Sequence, residues 1–347
     1  MNSPGAESRI VGGYRYQDHV QLLDAQDAFF LARKPRKDSP HTTAAYRRDL
    51  HGVTSLLADT ARKSITELTI HDLTAKALRA AFGEFADGHA KTSVARAWST
   101  WNQFLNFCVA DGLLDGNPMG AVSRPKAPQS SPKPLRGEDT PEKLLAAAAS
   151  GARKARDPWP ERDVLVIALG LVAGLRSAEV RALQRSSVVG RPGEQRLHVQ
   201  GKGSRERSIP IEPPLERVID AYLASCAARF PHQRFGASSA LLLDYQGKPI
   251  GRGALDYLVK TSYRWAGIRD QVPTGANLHA LRHTFATRLA EDGANAAEIM
   301  ALLGHANLNT SQNYIEATGK ERRAAAAGNR TYRALSGLEP GVTSPDS

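Results

Sequence analysis

The feature that most constrains how this chain can fold is an interruption near its first third. Residues Ser123 to Arg136, SRPKAPQSSPKPLR, hold four prolines and almost nothing apolar. Each proline fixes φ, removes an amide donor and pushes the residue before it into extended conformation, so neither a helix nor an inner strand runs through such a segment. An exposed, semi-extended linker is predicted, with two separately packed parts on either side. A chain of 347 residues agrees with two domains at roughly 100–200 residues each. The expected division is a tail at 1–20, a helical domain at 21–122, the linker at 123–136, a mixed domain at 137–330 and a second tail at 331–347.

The first part reads as helical. DAQDAFFLAR, HTTAAYRRDLHGVTSLLAD, DLTAKALRAAFGEFAD and KTSVARAWSTWNQFLNFCVADG each carry apolar residues at three- and four-residue spacing. Thr42 or Thr43, Asp72 and Thr92 are expected as N-caps, and Gly52, Gly88 and Gly112 as breaks or C-caps. In the second part, helices are predicted around Pro141 to Ser150 and Arg162 to Ala173. QRLHVQ and RSIPI then alternate in the manner of strands around GKGSRE, which predicts a β-hairpin with Lys202 at its tip. Further helices are expected at Pro214 to Arg229, Gly253 to Ala266, His279 to Asp292, Ala296 to Leu303 and Thr310 to Glu316.

Charge narrows the class of partner. The chain carries 46 Lys+Arg against 35 Asp+Glu, a net +11 that suits a polyanion such as nucleic acid. The excess is localised: 13 basic residues face 11 acidic ones in residues 21–124, but 30 face 20 in residues 125–330. Cys108 and Cys226 form no CxxC pattern, so neither a disulfide framework nor a cysteine zinc site is supported. The N-terminus lacks a signal-peptide core, and the most apolar run, Val164 to Ala173, is far short of the ~20 residues that span a bilayer. A cytoplasmic, DNA-associated protein without membrane contact is expected.

Several familiar chemistries fail on inspection. Lys202 lies in Gly201-Lys202-Gly203, but a P-loop needs Ser or Thr after the lysine and a glycine six residues before it, where Arg196 stands. GRGALD at 251–256 lacks the third glycine of a dinucleotide fingerprint. His279 and His283 have metal-sharing spacing, yet Ala280 replaces the glutamate of a zinc-protease motif and Arg282 would set a cation beside the metal. His283 and Trp265 are assigned to packing.

What remains is a dispersed cationic set ending in a phenol: Arg176 in AGLRSAEV, Lys202, His279 and Arg282 in HALRH, His305 in LLGH, and Tyr314. Singly, each has an ordinary structural explanation. Jointly they suit attack on a phosphodiester. Two guanidiniums can clamp nonbridging oxygens and oppose the charge that builds at phosphorus. A phenol, with pKa near 10, becomes a nucleophile once cations stabilise its anion and a neighbour accepts its proton. A lysine can protonate the leaving alkoxide. Glu179, three residues after Arg176, is placed to orient that guanidinium.

In type, order and spacing this set resembles the tyrosine recombinases, or phage integrases, over roughly residues 20 to 330. The resemblance implies a mainly α fold with a small β-sheet: an N-terminal helical core-binding (SAM-like) domain and an α+β catalytic domain, closing as a C-shaped clamp on DNA. It implies site-specific recombination through a 3′-phosphotyrosyl intermediate on Tyr314, without metal, ATP or other cofactor. Arg176 and Arg282 would bind phosphate, His279 and His305 would donate hydrogen bonds or handle the nucleophile's proton, and Lys202 would act as general acid. The implied partners are double-stranded DNA with an inverted-repeat core site and further copies of the chain, as a tetramer on DNA. The roughly 20 residues before the first helix are too few for an arm-binding domain, which points to a simple Xer-like or short mobile-element recombinase, with the linker and tail favouring the latter. A catalytically silent DNA binder of the same fold and a relaxing topoisomerase are the alternatives. Accessory DNA-bending proteins or a partner recombinase are not specified by these residues.

Overall fold

The computed structural model describes residues 9–11, 14–16, 20–126, 131–155, 157–201, 206–275, 277–304 and 307–318. The chain divides into two compact units, Met1–Ser130 and Ser131–Ser347.

In the first unit, β1 (Arg9–Val11) and β2 (Tyr14–Tyr16) pair antiparallel inside the stretch expected to be a tail. Four helices follow: α1 (Leu22–Ala32), α2 (Pro40–Ala61), α3 (Ala75–Asp87) and α4 (Lys91–Ala110). Their starts differ from the expected caps. Pro40 at the first position of α2 fixes its entry, so Ser39 is the cap, its Oγ accepting from the Thr42 amide at 3.2 Å. Thr74 caps α3, because Asp72 instead accepts from the Thr69 amide in a preceding 3₁₀ turn. Ala90 precedes α4, which leaves Thr92 within its first turn. Gly52 lies inside α2 and does not break it; a Cβ there would come 3.0 Å from the Phe85 ring, so the missing side chain lets α3 approach.

Apolar stripes of these helices meet around Phe29, Trp101 and Phe104, with edge-to-face ring contacts at centroid separations of 5.6 Å. One charge is buried with them. Asp49, on α2, accepts from Arg96 Nη2 and Nε at 2.7 and 2.9 Å and from Thr100 Oγ1 at 3.1 Å, tying α2 to α4.

The second unit contains α5 (Thr140–Ala149), α6 (Pro160–Leu171), α7 (Ser177–Ala182), β3 (Val188–Val189), β4 (Arg196–Gln200), β5 (Glu206–Pro210), α8 (Pro213–Arg229), α9 (Arg252–Trp265), α10 (Asn277–Glu291), α11 (Ala296–Leu303) and α12 (Leu308–Thr318). The most apolar of these, α6, is buried over nearly its whole circumference, as its composition requires. Gly170 allows α10 to lie directly against it, since a Cβ would come 2.8 Å from Leu281. Strands β3, β4 and β5 form an antiparallel sheet in that order. Leu197 pairs with Ile209 and Val199 with Arg207, which puts these four side chains on the inward face. Strand β3 was not among the expected elements; two residues are too few for an alternation to register.

The C-terminal end of the proline segment is not an exposed linker. Leu135 is buried, its amide donates to Thr284 Oγ1 at 2.9 Å, and the Arg136 amide donates to the Gln271 carbonyl at 2.9 Å. The prolines keep the segment extended, and its one large apolar side chain still finds the core. Trp265, assigned to packing, is 41% exposed with the Lys154 ammonium 5.5 Å from its ring centroid. Helices α11 and α12 close over the end of α10 through Ala286, Ala290, Ile299, Leu303, Tyr314 and Ile315. Among the described residues no helix is long and apolar enough to cross a membrane.

Candidate active site

The site is built where the turn after α6 meets the end of α11. Gly174 takes a left-handed backbone with φ of 61°, and any Cβ there would collide with Phe285 and Leu303. That turn delivers Arg176 to the N-cap position of α7. Its amide donates to Glu179 Oε2 and its Nη1 to Glu179 Oε1, both at 2.8 Å. The orientation of Arg176 by Glu179, expected from the three-residue spacing, is thus present as geometry.

Glu179 does more than the sequence suggested. Arg207, on the inward face of β5, forms a two-point ion pair with it, Nη1 to Oε1 at 2.9 Å and Nη2 to Oε2 at 2.8 Å, while its Nε donates to the Leu302 carbonyl at 2.9 Å. Arg282 approaches from α10, with Nη1 3.8 Å from Glu179 Oε2. Its Nη1 donates to the Gly174 carbonyl at 2.5 Å and its Nη2 to the Leu303 carbonyl at 2.8 Å. Arg176 Nη1 reaches that same Leu303 carbonyl at 3.4 Å. Three guanidiniums from separate elements therefore converge on one buried carboxylate and on the last carbonyls of α11. Burial opposes ionisation of Glu179, but the hydrogen bonds from Arg207 and Arg176 outweigh it and bring its pKa down to about 2. Burial and the nearby Arg176 lower Arg282 to about 9, which leaves it cationic at neutral pH.

Tyr314 stands beside this cluster on α12. Its Oη lies 2.7 Å from His283 Nδ1, and the two rings are 5.6 Å apart. His279 meets His283 edge to face at 4.7 Å. Burial, then His279, Arg282 and Lys133, push His283 down to about 4, and burial with Arg282 and Arg176 lowers His279. Burial raises the Tyr314 hydroxyl, while Arg282 and Arg176 pull the other way. Among the described residues no group of three or more His, Cys, Asp and Glu side chains is placed to hold a metal ion.

Of the residues expected in the site, Arg176, Glu179, Arg282, His279 and Tyr314 come together. Lys202 and His305 lie outside the described residues; the strand that follows the Lys202 hairpin carries Arg207, and a Cβ on Gly304, next to His305, would come 3.0 Å from Arg207 Nη1. Arg176 is about one-third exposed, whereas Arg282 is 1% and Tyr314 3% exposed. Two residues were misread or missed. His283 is no mere packing residue, since it bonds the phenol; its four-residue spacing from His279 had already marked the shared face. Arg207 went unmarked, yet its phase with Ile209 along β5 turns it inward, and an inward arginine on a strand needs an anion.

Residues 137–321 match the phage integrase family, and residues 30–112 match its N-terminal SAM-like domain. The chain is 32% identical over 305 residues to the tyrosine recombinase XerC of Mycobacterium sp. (strain JLS), covering 87% of this chain and 96% of that protein. It is 33% identical over 304 residues to the protein of that name from Mycobacterium bovis (strain BCG / Pasteur 1173P2), with the same coverage. The fold agrees with XerH site-specific recombinase bound to palindromic difH substrate, at a TM-score of 0.69 and 17% identity over 88% of this chain and 84% of that one. It also agrees with a lambda integrase dimer bound to a COC′ core site, at 0.64 and 18% over 86% and 77%. The chain therefore belongs to the phage integrase family and is a tyrosine-type site-specific DNA recombinase, with a SAM-like N-terminal domain ahead of its catalytic domain.

Proposed function

We propose that this recombinase cuts and rejoins duplex DNA at an inverted-repeat core site through a 3′-phosphotyrosyl link to Tyr314. The observation that carries this is the convergence of Arg176 and Arg282 on the Leu303 carbonyl, in electrostatic reach of the Tyr314 hydroxyl. A scissile phosphate taking the place of that carbonyl would receive two guanidiniums already held by Glu179 and the neighbouring carbonyls, so little reorganisation precedes the chemistry. Tyr314 Oη then bonds to phosphorus as the bond to the 5′ oxygen breaks. Lys202 protonates the leaving oxygen, and His279 and His305 donate to the phosphate. The freed 5′-hydroxyl of a partner strand reverses the step, which conserves the bond energy without ATP.

Arg176 is the member that phosphate reaches first, by its exposure. Arg282 and Tyr314 are buried, so engagement of DNA is expected to shift α12. Strand exchange between two sites requires four such centres, and lambda integrase is seen as a dimer bound to a COC′ core site and as a tetramer bound to a Holliday junction. We carry the tetramer on DNA over to this chain on that basis. The mobile-element setting rests on the proline segment.

The test is to trap the protein on its host's DNA under denaturing conditions, identify the nucleotide-bearing peptide by mass spectrometry and sequence the attached DNA. An adduct on Tyr314 at one short inverted repeat, absent in Tyr314→Phe although that variant binds DNA, is expected. A junction between element and chromosome would support the mobile-element setting, and a single chromosomal site would overturn it. An undiminished adduct in Tyr314→Phe would overturn the nucleophile.

A further inference from the structure

Attack by a phenol requires that its proton leave, and among the described residues the three arginines gathered on Glu179 supply no acceptor for it. Arg176, Arg207 and Arg282 are donors only, and Glu179 already accepts from two of them. His283 is differently placed. It sits one residue after Arg282 on α10, so it lies on a neighbouring face of the helix and looks toward α12. Its Nδ1 is 2.7 Å from Tyr314 Oη, a full hydrogen bond in a part-buried setting. His279, one turn earlier, packs edge to face against the His283 ring at 4.7 Å and limits its tilt.

Resting on the assignment of Tyr314 as nucleophile, we propose that His283 is a further catalytic residue: with its own proton on Nε2, its Nδ1 takes the Tyr314 proton during cleavage and returns it on rejoining. The step balances. The Oη–H bond breaks as Nδ1–H forms, Oη bonds to phosphorus as the bond to the 5′ oxygen breaks, and that oxygen takes a proton from Lys202. The resulting imidazolium is the reservoir from which the phenol is reprotonated when the partner strand attacks. The groups facing His283 suit a transient acceptor. Burial, then His279, Arg282 and Lys133, disfavour a resting imidazolium, so the ring waits neutral with a lone pair available. Burial raises the phenol, and Arg282, which faces His283 too, acts with Arg176 to favour the phenolate against it.

The test uses the full chain and a suicide duplex bearing the inverted repeat recovered by trapping, with covalent adduct formation followed in a single turnover. His283→Ala is expected to bind DNA as the parent does and to form adduct about 100-fold more slowly, the usual scale of a lost general base. A fluorinated tyrosine ionised at neutral pH, incorporated at position 314, needs no proton acceptor. In that background the effect of His283→Ala is expected to shrink to about threefold or less. An equal loss in both backgrounds would overturn the proposal. His283→Asn keeps an acceptor oxygen near the Nδ1 position but no basic site, and covers the case in which the alanine variant fails to fold. It is expected to remain slow, and wild-type rates there would show that His283 only holds the phenol in place. Adduct formation by Tyr314→Phe would remove the nucleophile and this proposal together. An undiminished rate in His283→Ala, with none in Tyr314→Phe, would remove His283 alone.

Discussion

Replacing Glu179 by glutamine removes one charge and almost no volume, and three arginines register the loss. The carboxyl is 4% exposed and receives four hydrogen bonds from Arg176 and Arg207, with Arg282 at 3.8 Å. Its pKa falls from 4.5 to about 2, a displacement that corresponds to roughly 3 kcal/mol favouring the folded, ionised form. Because the folded value is depressed, this contribution is complete above 4.5 and is lost as pH falls toward 2. Glutamine cannot balance Arg207 and Arg282, and stranding buried charges costs on the order of 3–5 kcal/mol. Glu179→Gln is therefore expected to lose about 3 kcal/mol at neutral pH in urea unfolding followed by circular dichroism, in the transition of the second unit. Between pH 5 and pH 3 the parent should weaken while the variant stays nearly flat in this contribution. Adduct formation should fall with it, since Arg176 loses its tether. A loss below about 1 kcal/mol, the scale of an exposed ion pair, with an unchanged acid limb, would refute the view that this carboxylate organises the site.

Gly304→Ala puts a side chain on a left-handed residue, φ 63°, with its Cβ 3.0 Å from Arg207 Nη1, and should cost about 1–2 kcal/mol while slowing cleavage; thermal melting and the adduct assay check both. Asp49→Asn removes the charge that ties α2 to α4 and should lower stability of the first unit by about 1–2 kcal/mol, with the melting of the second unit unchanged in the same calorimetric scan. Affinity for duplex DNA should fall steeply between 50 and 200 mM salt, because neutralised phosphates release counterions; a flat response in a titration would contradict phosphate-dominated binding.

Much of this protein was legible without coordinates because its signals are local. The proline segment had to separate two folding units, since proline forbids regular structure through it. Most helices of both units announced themselves by apolar spacing, and strands β4 and β5 by alternation, but the six-residue α7 (Ser177–Ala182) was too short to register. Order and residue type alone grouped Arg176, Glu179, His279, Arg282 and Tyr314. Helix starts were less legible: Ser39 and Thr74 displaced the expected caps because a following proline and a competing 3₁₀ turn decided where the first turn began. Tertiary structure alone decided which groups meet across more than one element. Nothing near position 207 says that its guanidinium will close on a carboxylate 28 residues earlier, nor does the HALRH motif say that its second histidine faces a phenol 31 residues later. Leu135, Arg207 and His283 share that origin. A side chain's partner is fixed by how helices and strands pack in three dimensions, whereas periodicity reports only which face of its own element it occupies.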